Sequence, residues 1–306
     1  MNASNSGYYE EDYRPVADST RAFPVLPGTT IEIIRPAPRR QPPRHVLFDF
    51  DGTLSLIREG WMGVMVPMMV EVLQATGTGE PAETLSALAR EFVMELTGKQ
   101  TIYQMIRLAE EVRKRGGVPE DPTRYKQVYH DRLMARVAGR REALRAGRAS
   151  AQQMLVPYSR EMLDELCRRG VALYVASGTD EQYVLDEVRL LGLDAYFGSH
   201  VYGAIDDYRS FSKALVIERI LRENRVEGES LLGFGDGYVE IQNVAAVGGT
   251  AVAVASDEAG RSGKPDLWKR DRLIGAGADV VIPDYRDWLP LVDYLWNPPC
   301  GIGVRA

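Results

Sequence analysis

The chain has 306 residues, 45% of them hydrophobic and 26% charged, the make-up of an ordinary globular protein with one large domain or two moderate ones. A net charge of −6 and a pI near 5.3 provide no positive field to draw in a polyanion, which argues against general nucleic-acid binding. Two cysteines, Cys167 and Cys300, give neither a disulfide framework nor metal-ligand spacing, and no apolar run reaches the length of a membrane-spanning helix.

The first residues, MNASNSGYYEED, are polar and acidic and carry no secretory signal, so a cytoplasmic location is expected. Residues 1–43 hold seven of the 17 prolines, which deny the backbone the donors that helices and sheets need. They are expected to form a Pro-rich, mostly extended arm. Within it Ile31–Ile34 is a candidate edge strand, and Tyr8, Tyr9 and Tyr13 are candidates to dock on a partner or on the chain itself.

The stretch His45–Thr53, HVLFDFDGT, reads as a short buried strand running into two aspartates and a glycine. Strand periodicity puts Asp49 and Asp51 on one side, a few ångströms apart. Two carboxylates that close are costly unless a cation or a shared proton relieves them, the first sign of a metal site. An Asp-Gly turn is the alternative reading of the same residues.

Residues 57–154 read as four consecutive helices. Apolar residues recur at three and four from Trp61 to Leu73, from Leu85 to Leu96 and from Ile102 onward, and Pro122 opens a fourth helix running to about Gly147. The segments break at Gly77 and Gly79, at Gly98, and at Gly116-Gly117. Residues 124–148 carry eight Arg or Lys against two acids. Such a run is ordinarily a solvated face, and attraction of an anionic substrate is the alternative.

From Val156 the pattern alternates. Helices are expected at Glu161–Arg169, Glu181–Leu191, Lys213–Asn224 and Val239–Val247. Strands are expected at Val171–Ala176, near His200–Tyr202, and at Leu231–Phe234, Thr250–Ala255 and Asp279–Ile282. Strands alternating with helices imply a parallel sheet with right-handed crossovers, and ligands of such sheets sit beyond the carboxyl ends of the strands. There stand Asp49 and Asp51, then Ser177-Gly178-Thr179, then Asp236 with Glu240 one helical turn on. Lys213 opens a helix between the last two groups. Three or four acids, a hydroxyl beside free N–H groups and one ammonium suit phosphoryl transfer through a carboxylate nucleophile. His45, His130 and His200 are scattered and are expected to be structural.

Four segments in order, DFDGT (Asp49–Thr53), ASGT (Ala176–Thr179), Lys213 and GDGYVE (Gly235–Glu240), resemble the signatures of the haloacid dehalogenase superfamily. The resemblance covers roughly residues 45–297. It implies an α/β fold, a Rossmann-like parallel-sheet core (44–56 and 155–297) with an inserted α-helical cap domain (57–154), flanked by the arm and a tail at 298–306. The placement of the insert is similar to that in phosphoglycolate phosphatases and β-phosphoglucomutases.

Carried over residue by residue, the resemblance makes Asp49 the nucleophile and a Mg²⁺ ligand. Asp51 becomes the general acid and base, with its main-chain carbonyl on the metal. Ser177, Gly178 and Lys213 hold the phosphoryl group, and Asp236 binds metal; Glu240 stands where many members have Asp, as a further metal ligand. Lys99 and Gln100, in the loop between the second and third cap helices, are candidate specificity residues, though an N-capping turn explains Thr97-Gly98 equally well. Dehalogenase members lack the second acid, and phosphonatase members carry an early cap lysine. Here Asp51 is present, and the first lysine of the chain is Lys99.

The expected activity is Mg²⁺-dependent hydrolysis of a small phosphomonoester, a sugar phosphate or a phosphoglycolate-like acid, through an aspartyl-phosphate. A phosphomutase and a non-catalytic phosphate-sensing protein are the alternatives. The expected partner is a small phosphorylated metabolite, with no nucleic acid and no membrane. Oligomeric state is left open.

Overall fold

A computed structural model describes residues 12–36, 42–205 and 207–297. In chain order these form β1 (Glu32–Ile33), β2 (His45–Phe48), α1 (Met62–Gln74), α2 (Ala82–Glu95), α3 (Thr101–Lys114), α4 (Pro122–Arg145), α5 (Ser159–Arg168), β3 (Ala172–Asp180), α6 (Glu181–Leu190), α7 (Asp194–Phe197), β4 (Val201–Ala204), α8 (Lys213–Asn224), β5 (Leu231–Gly235), α9 (Tyr238–Ala246), β6 (Thr250–Val254), α10 (Leu267–Gly275), β7 (Val280–Ile282) and α11 (Trp288–Trp296).

The strands make one sheet in the order β1-β7-β6-β5-β2-β3-β4, parallel except for β1, which pairs antiparallel with β7. The expected edge strand is therefore present. Residues 12–36 add no other regular strand, yet they pack onto the core, with Ile31 and Ile33 buried. Tyr13 docks on the chain itself, its ring edge-on to Tyr238 at 5.5 Å. Tyr8, Tyr9 and the tail at 298–306 lie outside the described residues.

β2 lies inside the sheet, between β5 and β3, because Val46, Leu47 and Phe48 have no polar face to offer water. In register, Phe48 stands opposite Val175 of β3 and Phe234 of β5, so β2 and β5 end side by side while β3 runs on beyond them to Asp180. Phe48 stacks on Phe234 at 4.8 Å and meets Phe197 edge-on at 6.3 Å. Removing that ring leaves a void in a core that cannot collapse around a rigid sheet. Phe48→Ala is expected to cost about 3–5 kcal/mol of unfolding free energy, measured by denaturant titration.

The four helices α1–α4 are inserted between β2 and α5. Their two connections to the sheet run side by side: Leu56 N–H donates to Met154 O (2.8 Å) and Val156 N–H to Leu54 O (2.9 Å). The methionine-rich faces are core, with Met65, Met68, Met69, Met105 and Met162 all buried. On one flank, α4 is tied to α6. Lys126 pairs with Asp180, Arg141 and Arg145 pair with Asp186, and His130 stacks on Tyr183 at 3.9 Å. Arg132, Arg140 and Arg148 pair with Glu71, Glu59 and Glu142. Six of the eight bases in the run are thus paired with acids, all but Arg148 with acids distant in sequence. Tyr174 has His200 stacked on it and His45 within 3.2 Å of its hydroxyl, and no histidine belongs to the acidic cluster described below.

Candidate active site

The turn that ends β2 builds the centre. Asp49 N–H donates to Phe234 O at 2.9 Å, which fixes the aspartate against β5. The chain then reverses through Gly52, at φ +75°, where a Cβ would lie 2.2 Å from Asp236 Oδ2. Only glycine meets both demands. Beyond it Ser256 Oγ donates to Gly52 O at 2.7 Å.

Asp49, Asp51, Ser177, Gly178, Lys213 and Asp236 line one cavity of about 120 Å³. Four strand or helix ends meet there: β2, the extended end of β3, the start of α8 and the end of β5. Ser212 caps α8, its hydroxyl accepting from Leu215 N–H at 3.2 Å, and so sets Lys213 at the helix start with its side chain directed into the sheet. Lys213 Nζ lies 2.9 Å from Asp49 Oδ1 and 2.6 Å from Glu240 Oε2. Burial works against the lysine charge, and the two carboxylates overcome it, raising its pKa. Burial lifts Asp49 well above the usual carboxylate range; Lys213 opposes that, while Glu240 and Asp236 add to it.

Asp49, Asp236 and Glu240 each present an oxygen within 4.8 Å of the others, an arrangement able to hold a metal ion. Glu240 stands behind the cavity wall rather than in it, buried against Lys213 and accepting from Gly237 N–H. Asp51 turns its side chain away from this group. Its Oδ2 accepts from Thr179 Oγ1 at 2.9 Å, and Arg58 Nε stands 3.7 Å from its Oδ1. Burial, opposed by Arg58 and reinforced by Glu187, lifts the Asp51 carboxyl to about 6.

The loop between α2 and α3 roofs the cavity. Gly98, at φ +102°, sits against β5's exit, where a Cβ would be 3.1 Å from Gly237 Cα. Gly178 would likewise bring a Cβ to 3.1 Å from Lys99 O. Lys99 lines the cavity; its Nζ pairs with Asp12 at 2.6 Å and lies 5.3 Å from the centroid of the Tyr103 ring. Gln100 stands beside the cavity rather than in its lining: its Nε2 donates to Phe211 O (2.8 Å) and Tyr208 O (3.1 Å) and so braces the loop that leads to Lys213.

Sequence reasoning did not find Arg58, Thr179 as an Asp51 partner, or the cluster around Lys269. Lys269 Nζ lies 2.8 Å from Asp236 Oδ2 and 2.6 Å from Glu258 Oε1, and Thr53 Oγ1 donates to Asp236 Oδ1 at 3.4 Å.

Solved structures share this fold. A predicted phosphoglycolate phosphatase from Haemophilus somnus 129PT is 17% identical, with 81% of this chain and 97% of that one covered and a TM-score of 0.52. A predicted phosphatase from Clostridium acetobutylicum is 15% identical over 81% and 96% of the two chains, with a TM-score of 0.53. A haloacid dehalogenase family hydrolase from Deinococcus radiodurans R1, solved with bound phosphate and sodium, is 18% identical over 84% and 97%, with a TM-score of 0.50. No curated protein matches the sequence. The model of the haloacid dehalogenase-like hydrolases matches residues 43–248, a span that contains all four signature segments: the chain belongs to the haloacid dehalogenase-like hydrolase family.

Proposed function

We propose that the protein is a Mg²⁺-dependent phosphatase of small phosphomonoesters, a sugar phosphate or a phosphoglycolate-like acid, working through an aspartyl-phosphate. The observation that carries this reading is the convergence of Asp49, Asp51, Ser177, Lys213 and Asp236, from four separate strand or helix ends, on one cavity. The Asp49 carboxylate, buried with the Lys213 ammonium 2.9 Å away, is held in place to act as the nucleophile.

Asp49 attacks phosphorus, and the bond from phosphorus to the ester oxygen breaks. Asp51 gives its proton to the leaving alkoxide, and the phosphoryl group is now bonded to Asp49. Asp51 then takes a proton from water as the water oxygen bonds to phosphorus, which releases phosphate and regenerates both carboxyls. Ser177, the Gly178 N–H and Lys213 stabilise the phosphoryl oxygens. Helices α1–α4 would act as the cap domain (57–154) that excludes bulk water and chooses the substrate, with Lys99 at its inner surface.

Asp49, Asp236 and Glu240 fit a divalent cation by donor type and spacing, with the Asp51 carbonyl as a further oxygen. When bound, magnesium would neutralise charge on the transferring group. A stability measurement tests this part separately from activity. Asp49 and Asp51 both titrate above their unfolded values, so in metal-free protein the folded state holds protons that the unfolded chain releases. Their contribution to stability is full below about pH 4 and is lost as pH rises through the raised pKa of each group, about 6 for Asp51. Magnesium binds the deprotonated carboxylates, so its stabilisation is expected to be larger at about pH 8 than at about pH 5. It should approach about 2.7 kcal/mol at a hundredfold excess over Kd. Equal midpoints with and without magnesium at both pH values would remove the metal from the account.

The activity test is a Mg²⁺-dependent phosphate-release screen over sugar phosphates, phosphoglycolate and nucleotides. Phosphate release from at least one small ester is expected. Isomerisation of a hexose phosphate with no free phosphate would instead mark a mutase.

A further inference from the structure

Behind Asp51 lies a buried ion pair that the mechanism above leaves unused. Arg58 belongs to the turn that leads into α1, and Glu187 to α6, 129 residues later. Arg58 Nε stands 3.2 Å from both Glu187 oxygens and its Nη2 stands 3.0 Å from Oε1. The Glu187 side chain is 0% exposed and that of Arg58 is 8% exposed. The same Nε is 3.7 Å from Asp51 Oδ1, near enough for attraction and too far for a hydrogen bond. Asp51 Oδ1 is buried and has no hydrogen-bond partner among the described residues.

Buried carboxylate oxygens normally find a donor, and here one stands alongside but is turned elsewhere. A guanidinium free to rotate would close that gap and grip Asp51 with a two-pronged clamp. Such a clamp fixes both oxygens as acceptors. An acid–base group must exchange partners twice per cycle, first with the alkoxide and then with water. Glu187 commits two of the guanidinium nitrogens and so withholds the clamp.

We propose that Glu187 is a positioning residue for the acid–base step: by holding Arg58 through Nε and Nη2, it keeps Asp51 Oδ1 out of a hydrogen bond with the guanidinium and free to trade protons. This rests on the phosphatase reading and extends it to a residue 138 positions from the nucleophile in sequence. Arg58 stays close enough to attract Asp51 without immobilising it.

The test separates the acid step from the rest of the reaction by leaving group. An alkyl phosphate needs a proton on departure, whereas a nitrophenyl phosphate does not. Glu187→Gln keeps the side-chain shape and surrenders the charge that holds Arg58. Phosphoryl-enzyme formation from the alkyl ester is expected to fall about 10²-fold, while the first-turnover burst from the aryl ester changes less than about threefold. The double variant Glu187→Gln with Arg58→Met removes the clamp as well, and is expected to bring the alkyl rate back to within about tenfold of wild type. Rescue by a second substitution is not what a merely structural pair would give.

A double variant as slow as the single one, or an equal fall with both esters, overturns the proposal. Should Glu187→Gln fail to fold, the neutral double variant decides: recovery of alkyl turnover supports the proposal, and selective loss of it overturns it. Wild type that turns over neither ester with magnesium overturns the phosphatase reading and this proposal with it.

Discussion

Asp49→Asn is expected to abolish Mg²⁺-dependent hydrolysis of aryl and alkyl phosphates alike, by about 10⁴-fold or more in kcat. The amide has the same shape as the carboxylate and keeps an oxygen near Lys213, so the site stays assembled while the nucleophile is gone. Stability should hold or rise, since the substitution takes a buried charge out of a crowded group of acids. The loss is read with an aryl phosphate, whose departure needs no help from Asp51. Undiminished turnover by this variant would remove Asp49 from the mechanism.

Lys213→Met carries the second large effect, and it acts on folding and catalysis together. The ammonium is the bridge between Asp49 and Glu240, at 2.9 and 2.6 Å, and the three groups are buried. Removing one partner from such a cluster is expected to cost about 3–5 kcal/mol at about pH 8. Burial already raises Asp49, and Lys213 is the main influence opposing that rise. Without it the folded chain holds its proton more firmly than the unfolded chain does. The sign follows: the deficit is greatest above the folded pKa and shrinks as pH falls toward about 4, where both states are protonated. Magnesium should narrow the deficit at high pH by supplying the missing positive charge. Catalysis should fall about 10²–10³-fold, the usual result of deleting one stabiliser of developing charge. Denaturation midpoints at two pH values, each with and without magnesium, check both halves.

The centre of this site was legible because its residues interrupt apolar runs. Asp49 follows Val46-Leu47-Phe48, and Asp236 follows Leu231–Gly235. A carboxylate at the end of a buried strand has few bland explanations. The parallel sheet followed from the same alternation, and the structure has a strand at each expected place.

What the sequence hid is what tertiary packing creates. Arg58 and Glu187 stand 129 residues apart and belong to no local pattern, and only the docking of α6 against the insert brings them together. The bases of α4 looked like an unbalanced run because Asp180 and Asp186 lie far away in sequence. Gln100 sits in the right loop, but the carbonyls that claim its amide belong to a segment more than a hundred residues on. Helix α10 escaped notice because its sequence, LWKRDRLIG, sets four charged residues in a row between two apolar pairs, with no run of apolar residues at three and four. Its start is set by Asp266, whose side chain accepts from Lys269 N–H at 2.9 Å. That helix delivers Lys269 to Asp236, which no local pattern announces.

The most direct test is to find where the phosphoryl group goes. Wild-type protein mixed with an aryl phosphate and magnesium, quenched in acid within the first turnover and digested, should carry one phosphoryl group on the peptide containing Asp49, and Asp49→Asn should carry none. Steady turnover with no phosphoryl group on the protein, or with the group on another residue, would contradict the account at its centre.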